Sequence, residues 1–150
     1  RDGAQIVFSS NRKSGGGFEL YSRPSSGAGA EQLLLESPGS VRIPLGWSAD
    51  SLVLLYRDFD PKTSGDLWAL PMQGDRNPVP VANSPFNEAN GQFSPDGRWI
   101  AYSSNESGQW QVFVEPFPAT GGKFQISRNG GRWPTWRRNA ATITKSSGWL

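Results

Sequence analysis

Four acidic residues are the side chains of this 150-residue chain best suited to chemistry: Asp58, Asp60, Glu88 and Glu106. Two carboxylates flanking a pocket are the groups that glycoside hydrolases use, and Ca²⁺ binds several oxygen ligands. Nothing in the sequence pairs these carboxylates, however, and the spacing around Asp58 and Asp60 does not match an EF-hand loop. We therefore predict no catalytic residue and no metal site. A carboxylate-dependent hydrolase is kept as the second alternative function.

The absence of two residue types narrows the chemistry further. The chain has no His and no Cys, which excludes a Ser-His-Asp triad, a cysteine nucleophile, a His- or Cys-ligated metal and a disulfide framework. An enzyme made from this chain alone would depend on carboxylates, Lys, Tyr or a borrowed cofactor. We predict no cofactor and no enzymatic activity.

Charge and hydropathy exclude two classes of partner. Fifteen Lys and Arg residues face 13 Asp and Glu residues, and the basic residues are scattered apart from Arg137 and Arg138. A nucleic-acid-binding domain usually carries a concentrated basic patch, so we predict no nucleic-acid partner. No apolar run approaches the ~20 residues of a membrane span, so we predict no membrane insertion.

An internal repeat defines the elements that must position these side chains. Turn-like segments at Asp2, Asp50, Asp96 and Asn139 are spaced by 48, 46 and 43 residues. Pro, Asp and Gly favour tight turns, because Pro fixes φ, Asp bonds the nearby backbone and Gly tolerates positive φ. The residues predicted to form these turns are Asp2, Gly3, Asp50, Pro95, Asp96 and Gly97.

Each repeat unit contains the same series of short strand-like segments. Three of the four turns follow an aromatic residue, at Trp47, Phe93 and Trp136. The aromatic segment is the first predicted strand of a blade. After the turn, each unit continues with two β-rich runs and a weaker third run, which are the second, third and fourth predicted strands. These runs are residues 5–10, 19–23 and 31–36 in the first unit, 52–56, 66–70 and 78–82 in the second, and 99–104, 111–115 and 123–127 in the third. Four short strands per ~45 residues predict a β-propeller blade.

The sequence therefore predicts an all-β propeller of four-stranded antiparallel blades, with three blades in this chain. The approximate blades are residues 1–45, 46–91 and 92–136, and residues 137–150 form an atypical tail. The first blade lacks its innermost strand. The alternative is a β-sandwich with accidental similarity between its strands, but aromatic, Pro and turn positions all recur in register.

The motif from Phe93 to Tyr102, FSPDGRWIAY, resembles the WD40-like, TolB-type propeller repeat. Residues 87–139 resemble more closely the propeller region of bacterial eukaryotic-like serine/threonine protein kinases, through the runs SSNESG, VFVEPFP, GGKFQIS and NGG. The resemblance implies an extracytoplasmic sensing or interaction domain, six blades in the closed ring, and no catalytic residues. The tail after Arg138 departs from the family pattern, so nothing is carried over there.

Three blades leave the ring open, because closed propellers contain roughly four to eight blades. A last aromatic segment has no matching blade in the chain, and it comprises Trp133, Pro134, Thr135 and Trp136. We predict that this segment is a ring-closing innermost strand that completes the first blade of a second copy, giving a six-bladed homodimer with two-fold symmetry. The alternative is that the chain is half of a longer propeller.

Function is expected on the propeller face formed by the second-to-third-strand loops and the blade-to-blade loops. These loops are residues 11–17, 58–65, 105–109, 37–44, 83–90 and 128–132. Their polar candidates for ligand or partner binding are Arg12, Arg42, Asp58, Asp60, Asn87, Glu88, Asn105, Glu106 and Arg132. Trp110, at a loop end, and Trp149, in the tail, are suited to ligand stacking or to a partner surface. Four other Trp residues are expected in the core or between blades, and these are Trp47, Trp68, Trp99 and Trp136. The predicted function is protein interaction or sensing, with carbohydrate or small-ligand binding as the alternative.

Overall fold

The computed structural model describes residues 3–13, 15–36, 39–60 and 64–137. Within these ranges every regular element is a β-strand, which confirms the all-β prediction. The strands are β1 (Gln5–Ser10), β2 (Glu19–Pro24), β3 (Gln32–Leu35), β4 (Val41–Trp47), β5 (Val53–Asp60), β6 (Ser64–Pro71), β7 (Val79–Ala82), β8 (Glu88–Phe93), β9 (Trp99–Ser104), β10 (Gln111–Pro116) and β11 (Phe124–Gln125).

The strands form three antiparallel sheets in chain order. The first sheet is β1-β2-β3, the second is β4-β5-β6-β7 and the third is β8-β9-β10-β11. Each strand pairs with its neighbours in sequence, as in an up-and-down meander. The aromatic positions that recur in the sequence lie directly opposite each other in all three sheets: Phe8 faces Tyr21, Tyr56 faces Trp68 and Tyr102 faces Phe113.

Two apolar cores hold adjacent sheets together. Leu54 and Tyr56 of β5 pack toward the first sheet, where they meet Leu20. Leu55, on the opposite face of the same strand, packs in the core shared with the third sheet, beside Phe93. Successive side chains of a strand point to opposite faces, so a strand with a sheet on each side needs apolar residues at consecutive positions. This geometry explains the unbroken apolar run of the second sheet.

The innermost strands β4 and β8 share one irregularity. The register of β4 with β5 shifts between Pro44 and Gly46, and that of β8 with β9 shifts between Ala89 and Gln92. Asn90 lies in the second shift with a φ of 58°. A β-bulge of this kind inserts an unpaired residue and increases the local twist, so both inner strands bend at the same level of their sheets.

The inner strands begin earlier than the sequence analysis predicts. Arg42 and Glu88 lie in β4 and β8 rather than in blade-to-blade loops, and Asp58 and Asp60 lie in β5 rather than in a loop. The reason is that these polar residues occupy strand ends, where cross-strand partners compensate their burial. Their polarity alone therefore gave a misleading indication of loop structure.

The predicted ring-closing segment stays a prediction, because its pairing partner would be a second copy of the chain. Trp133, Pro134, Thr135 and Trp136 are assigned to no sheet within the described part of the chain. A strand exists only when its backbone pairs with another, and this segment instead lies beside the third sheet. Asp2 and residues 138–150, which include the atypical tail, fall outside the described residues, and so does the side chain of Asp60.

Candidate functional site

The predicted binding residues gather at one end of the sheets, here called the loop face, where β4 and β8 begin. A buried polar layer runs across all three sheets at this end. The layer contains Glu19 of β2, Asp66 of β6 and Gln111 of β10, which occupy corresponding positions of the three repeats, and all three are buried. Their cross-strand neighbours are Ser10, Asp58 and Ser104. The sequence analysis missed this layer, although a polar residue recurs there in every repeat.

In the second sheet, the layer contains an ion pair. The Arg42 Nε lies 2.8 Å from Asp58 Oδ2, and the two side chains are only 15% and 16% exposed. Arg42 and Asp58 are also directly opposite each other in the β4–β5 register. Arg42 in addition donates to the carbonyl oxygen of Glu36. Because hydrogen bonds between opposite charges are the strongest kind, this pair holds the loop-face ends of β4 and β5 together.

In the third sheet, the layer contains a buried carboxyl group, that of Glu88. Glu88 Oε1 accepts hydrogen bonds from Ser84 Oγ at 2.6 Å and Ser104 Oγ at 3.3 Å. Burial raises the pKa of Glu88 above its ordinary value, although the two serine hydrogen bonds oppose the shift. Desolvation disfavours the charged form, so the site favours the protonated acid more than water does.

A guanidinium connects the second and third sheets at the loop face. Arg57 donates from Nε to the carbonyl oxygen of Glu88 at 2.9 Å and from a terminal nitrogen to Asn87 Oδ1 at 2.6 Å. The backbone N–H of Asn87 donates in turn to Asn105 Oδ1 at 2.9 Å. Burial, followed by the positive charge of Arg132, lowers the pKa of Arg57. The predicted candidates Asn87 and Asn105 therefore link two sheets, and Arg57 is a residue that the sequence analysis missed.

Two ion pairs cover the aromatic pairs of the outer sheets. In the first sheet, Arg12 pairs with Glu31 and lies 4.4 Å from the Tyr21 ring centroid. In the third sheet, Lys123 pairs with Glu106 and lies 4.6 Å from the Phe113 ring centroid. The cation of the first sheet, Arg12, follows β1, whereas the cation of the third sheet, Lys123, precedes β11. The predicted candidates Arg12 and Glu106 thus occupy corresponding positions with opposite charges.

The last candidate, Arg132, stacks on aromatic rings. Its guanidinium carbon lies 4.0 Å from the Trp110 ring centroid and 4.9 Å from the Trp133 ring centroid. Trp110 is one of the two Trp residues predicted to stack on a ligand, and here its ring contacts a protein cation. The other, Trp149, lies outside the described residues. The structure thus brings Arg132 and Trp110 together, while the carboxylates of Asp58, Glu88 and Glu106 each have different partners.

The predicted turns lie at the opposite end of the sheets and share one hydrogen-bond pattern. Ser94 Oγ donates to Asp96 Oδ1 at 2.5 Å and accepts from the Trp99 backbone N–H at 3.0 Å. Ser48 makes the same two bonds, to Asp50 Oδ1 at 2.5 Å and from the Val53 N–H at 3.0 Å. The positive φ of the turn falls on Gly97 (74°) in one and on Ser51 (62°) in the other, and Gly3 has a φ of 73°. Pro95 precedes Asp96 in the third-sheet turn.

A groove of about 510 Å³ opens at this turn end, between the first and second sheets. Its walls include Trp47, Leu34 and Met72, with Arg76 at the rim. At the corresponding positions of the third sheet, Phe93 and Phe117 pack edge to face with centroids 5.1 Å apart. None of the predicted binding residues lines this groove.

Two structural features are absent from the described ranges: a cluster of metal-ligand side chains and a membrane-spanning helix. No three acidic side chains among those residues are grouped so that they could hold a metal ion. The same residues include no helix with the length and apolar character needed to cross a membrane.

Three adjacent antiparallel sheets, two of which have an innermost strand bulged at the same level, are blades of a β-propeller. The chain is a partial propeller, with two four-stranded blades and one three-stranded blade in its described part. No protein-family model and no curated protein sequence matches the chain.

The chain is similar to solved propellers of the TolB type. A protein described as TolB from Agrobacterium tumefaciens superposes with a TM-score of 0.78 at 22% identity over 91% of this chain and 48% of that one. TolB from Acinetobacter baumannii superposes with a TM-score of 0.68 at 19% identity over 84% of this chain and 30% of that one. The chain thus spans half or less of these proteins. The comparison confirms a TolB-type propeller fold, while the resemblance to kinase-associated propellers stays a prediction.

Proposed function

We propose that this chain is a non-catalytic propeller module for protein interaction, and that a second copy completes its ring. The non-catalytic part rests on the state of the carboxylates at the loop face. Asp58 is paired with Arg42, Glu106 is paired with Lys123, and Glu88 is buried beneath two serine hydroxyls. A hydrolase needs two carboxylates facing one pocket, and these three face different partners.

The segment that contains Trp133 carries the dimer proposal. Trp133 has a φ of 54°, and Asn90 has a φ of 58°; each lies three residues before an inner-strand aromatic, Trp136 or Phe93. A positive φ is uncommon for a residue other than Gly. The positive φ shared by these two repeat positions supports the proposal that the 133–136 segment acts as an innermost strand.

The position of this segment also fits an innermost strand. The Trp133 N–H donates to Ser103 Oγ at 3.2 Å, and Trp136 Nε1 donates to the Gln92 carbonyl oxygen at 3.0 Å. The segment thus lies against the third blade on the side away from the second, where the next blade of a propeller would begin. In a closed ring, its unpaired backbone edge would bind the second strand of that next blade.

The matching second strand is β1 of another copy. Within the described residues β1 pairs with β2 alone, and its Ile6 side chain is 54% exposed. An unpaired strand edge readily binds another strand. Reciprocal exchange of the 133–136 segment between two copies would complete both three-stranded blades and give six blades with two-fold symmetry.

The solution mass tests this proposal. Light scattering coupled to size-exclusion chromatography should give twice the chain mass of 16.4 kDa. Ile6→Lys should restore the single-chain mass, because it places a charge in the interface. Val79→Lys is the matched control, since Val79 is 49% exposed but lies on the outermost strand β7. A single-chain mass for the unmodified protein overturns the dimer and favours completion by further blades of a longer polypeptide.

A further inference from the structure

A guanidinium between two indole rings forms a distinct site on the loop face. The Arg132 guanidinium carbon lies 4.0 Å and 4.9 Å from the ring centroids of Trp110 and Trp133. A guanidinium beside aromatic rings keeps its N–H donors, which can bind an acceptor in the guanidinium plane. Trp133 is 68% exposed, so the site opens to solvent.

The loop that carries Arg132 is fixed by hydrogen bonds to the third blade. Gln111 Nε2 donates to the Arg128 carbonyl oxygen at 3.2 Å, and the Gly131 N–H donates to the Trp110 carbonyl oxygen at 2.9 Å. The Trp133 N–H donates to Ser103 Oγ at 3.2 Å. These three bonds order the backbone on both sides of Arg132, which reduces the entropy lost when a ligand binds.

The charge of Arg132 is not neutralised by the described part of the chain. None of the described carboxylates lies within 4.0 Å of its guanidinium. Arg57 adds a second positive charge near this site, and its own nitrogens are already bonded to Glu88 and Asn87. The site therefore combines an available cation and exposed aromatic surface, which together favour an anionic ligand with an apolar neighbour.

We propose that Arg132, held between Trp110 and Trp133, binds a carboxylate of an acidic peptide segment, with an apolar neighbour of that carboxylate on the exposed Trp133 ring. A carboxylate accepts two parallel hydrogen bonds from one guanidinium edge. Neutral groups that would bind sugar hydroxyls are already engaged: Asn87 Oδ1 by Arg57 and Asn105 Oδ1 by the Asn87 N–H. This inference rests on the proposed protein-interaction function and specifies the chemistry of its partner.

Fluorescence anisotropy with labelled peptides tests the site in the full chain. The probe is a fluorescein-labelled hexapeptide of alternating glutamate and leucine, and the matched probe replaces glutamate by glutamine. The acidic peptide should bind at least about tenfold more tightly than the neutral one, with an affinity that falls as salt rises. Unlabelled sialyllactose, an acidic sugar, should not compete with the acidic peptide.

Three variants separate this site from general charge attraction. Arg132→Gln should weaken binding of the acidic peptide by about tenfold or more, and Arg132→Lys should weaken it also, because Lys lacks the planar fork. Arg76→Gln is the control, since it removes an exposed Arg from the turn end of the sheets. Equal effects of Arg132→Gln and Arg76→Gln, equal binding of the two peptides, or competition by sialyllactose would each overturn the proposal.

The same samples distinguish this inference from the dimer. Trp110, Arg132 and Trp133 belong to one chain, but Trp133 also belongs to the proposed ring-closing segment, so binding is measured on the single-chain variant Ile6→Lys as well as on the unmodified protein. A single-chain mass for the unmodified protein with selective peptide binding removes the dimer alone. A double mass for the unmodified protein without selective binding by Ile6→Lys removes the carboxylate site alone.

Discussion

Gly91 in β8 offers a sharp test of how closely adjacent blades pack. A Cβ added at Gly91 would lie 2.9 Å from Leu55 Cδ2 and 3.0 Å from Leu67 Cδ1, where ordinary contacts begin at 3.4 Å. Both leucines are fully buried, so they cannot turn toward solvent to make room. Overpacking of a core typically costs about 1–3 kcal/mol, and the lower entropy of the unfolded chain offsets about 0.4–1 kcal/mol of it.

We therefore expect Gly91→Ala to lower the free energy of unfolding by about 1–2 kcal/mol. For a domain of this size the midpoint temperature should fall by about 2–8 °C. Gly46→Ala is the matched control: Gly46 also lies in an innermost strand, its φ is not positive, and an added Cβ would meet nothing within 4 Å. Its stability should stay unchanged or rise by up to about 1 kcal/mol.

Urea unfolding followed by tryptophan fluorescence measures both variants. The reasoning requires Gly91→Ala to lower the urea midpoint while Gly46→Ala does not. If both glycine variants lose the same stability, backbone effects and not inter-blade contact set the cost. If neither loses any, the leucine methyl groups can move, and the interface between the second and third blades is looser than its geometry indicates.

Three further predictions concern charged groups and can be checked by urea unfolding. Hydrogen bonds from Ser94 and Arg98 lower the pKa of Asp96 to about 2, so the stability that Asp96 adds over Asp96→Asn should be present above pH 4 and shrink as pH falls toward 2; a pH-independent difference would contradict this. Arg42→Ala should cost about 1–3 kcal/mol by leaving the half-buried Asp58 unpaired, whereas Arg98→Ala, which breaks an exposed pair, should cost less than about 1 kcal/mol; similar costs would refute the role of burial. Burial raises the pKa of Glu88, so wild-type stability relative to Glu88→Gln should fall as pH rises from the unfolded value through that raised pKa, and a difference that stays constant or grows over that range would refute it.

The blade architecture was predictable from the sequence because its signals repeat. Strands β1 and β9 begin and end where the β-rich runs do. The recurring aromatic positions proved to be cross-strand neighbours, as the opposition of Tyr102 and Phe113 shows. The period of apolar residues and the residues that favour turns are local properties of a chain. Because the repeat shows both signals three times, the blades can be predicted from the sequence.

The buried polar layer was not predictable in the same way. Arg42 and Glu88 are charged residues of the kind usually found in loops. Only the strand registers show that Arg42 lies opposite Asp58 and Glu88 opposite Ser104, which compensate their burial. The role of Arg57 is visible only from the acceptors of its hydrogen bonds, the Asn87 Oδ1 and the Glu88 carbonyl oxygen of the next blade. Such roles depend on contacts between distant residues, which the period of a sequence does not encode.

The opposite polarity of the two ion pairs over the aromatic residues has a consequence for recombination between blades. Both pairs join the loop after β1 or β9 to the residue just before β3 or β11. Arg12 pairs with Glu31 in the first blade and Glu106 pairs with Lys123 in the third, so the positive and negative charges occupy opposite positions. A chimera that moves only the fourth strand and its preceding loop between the first and third blades would therefore bring Arg12 near Lys123, or Glu106 near Glu31. Exchange of a whole blade would keep its ion pair intact, whereas exchange of the fourth strand alone would bring like charges together.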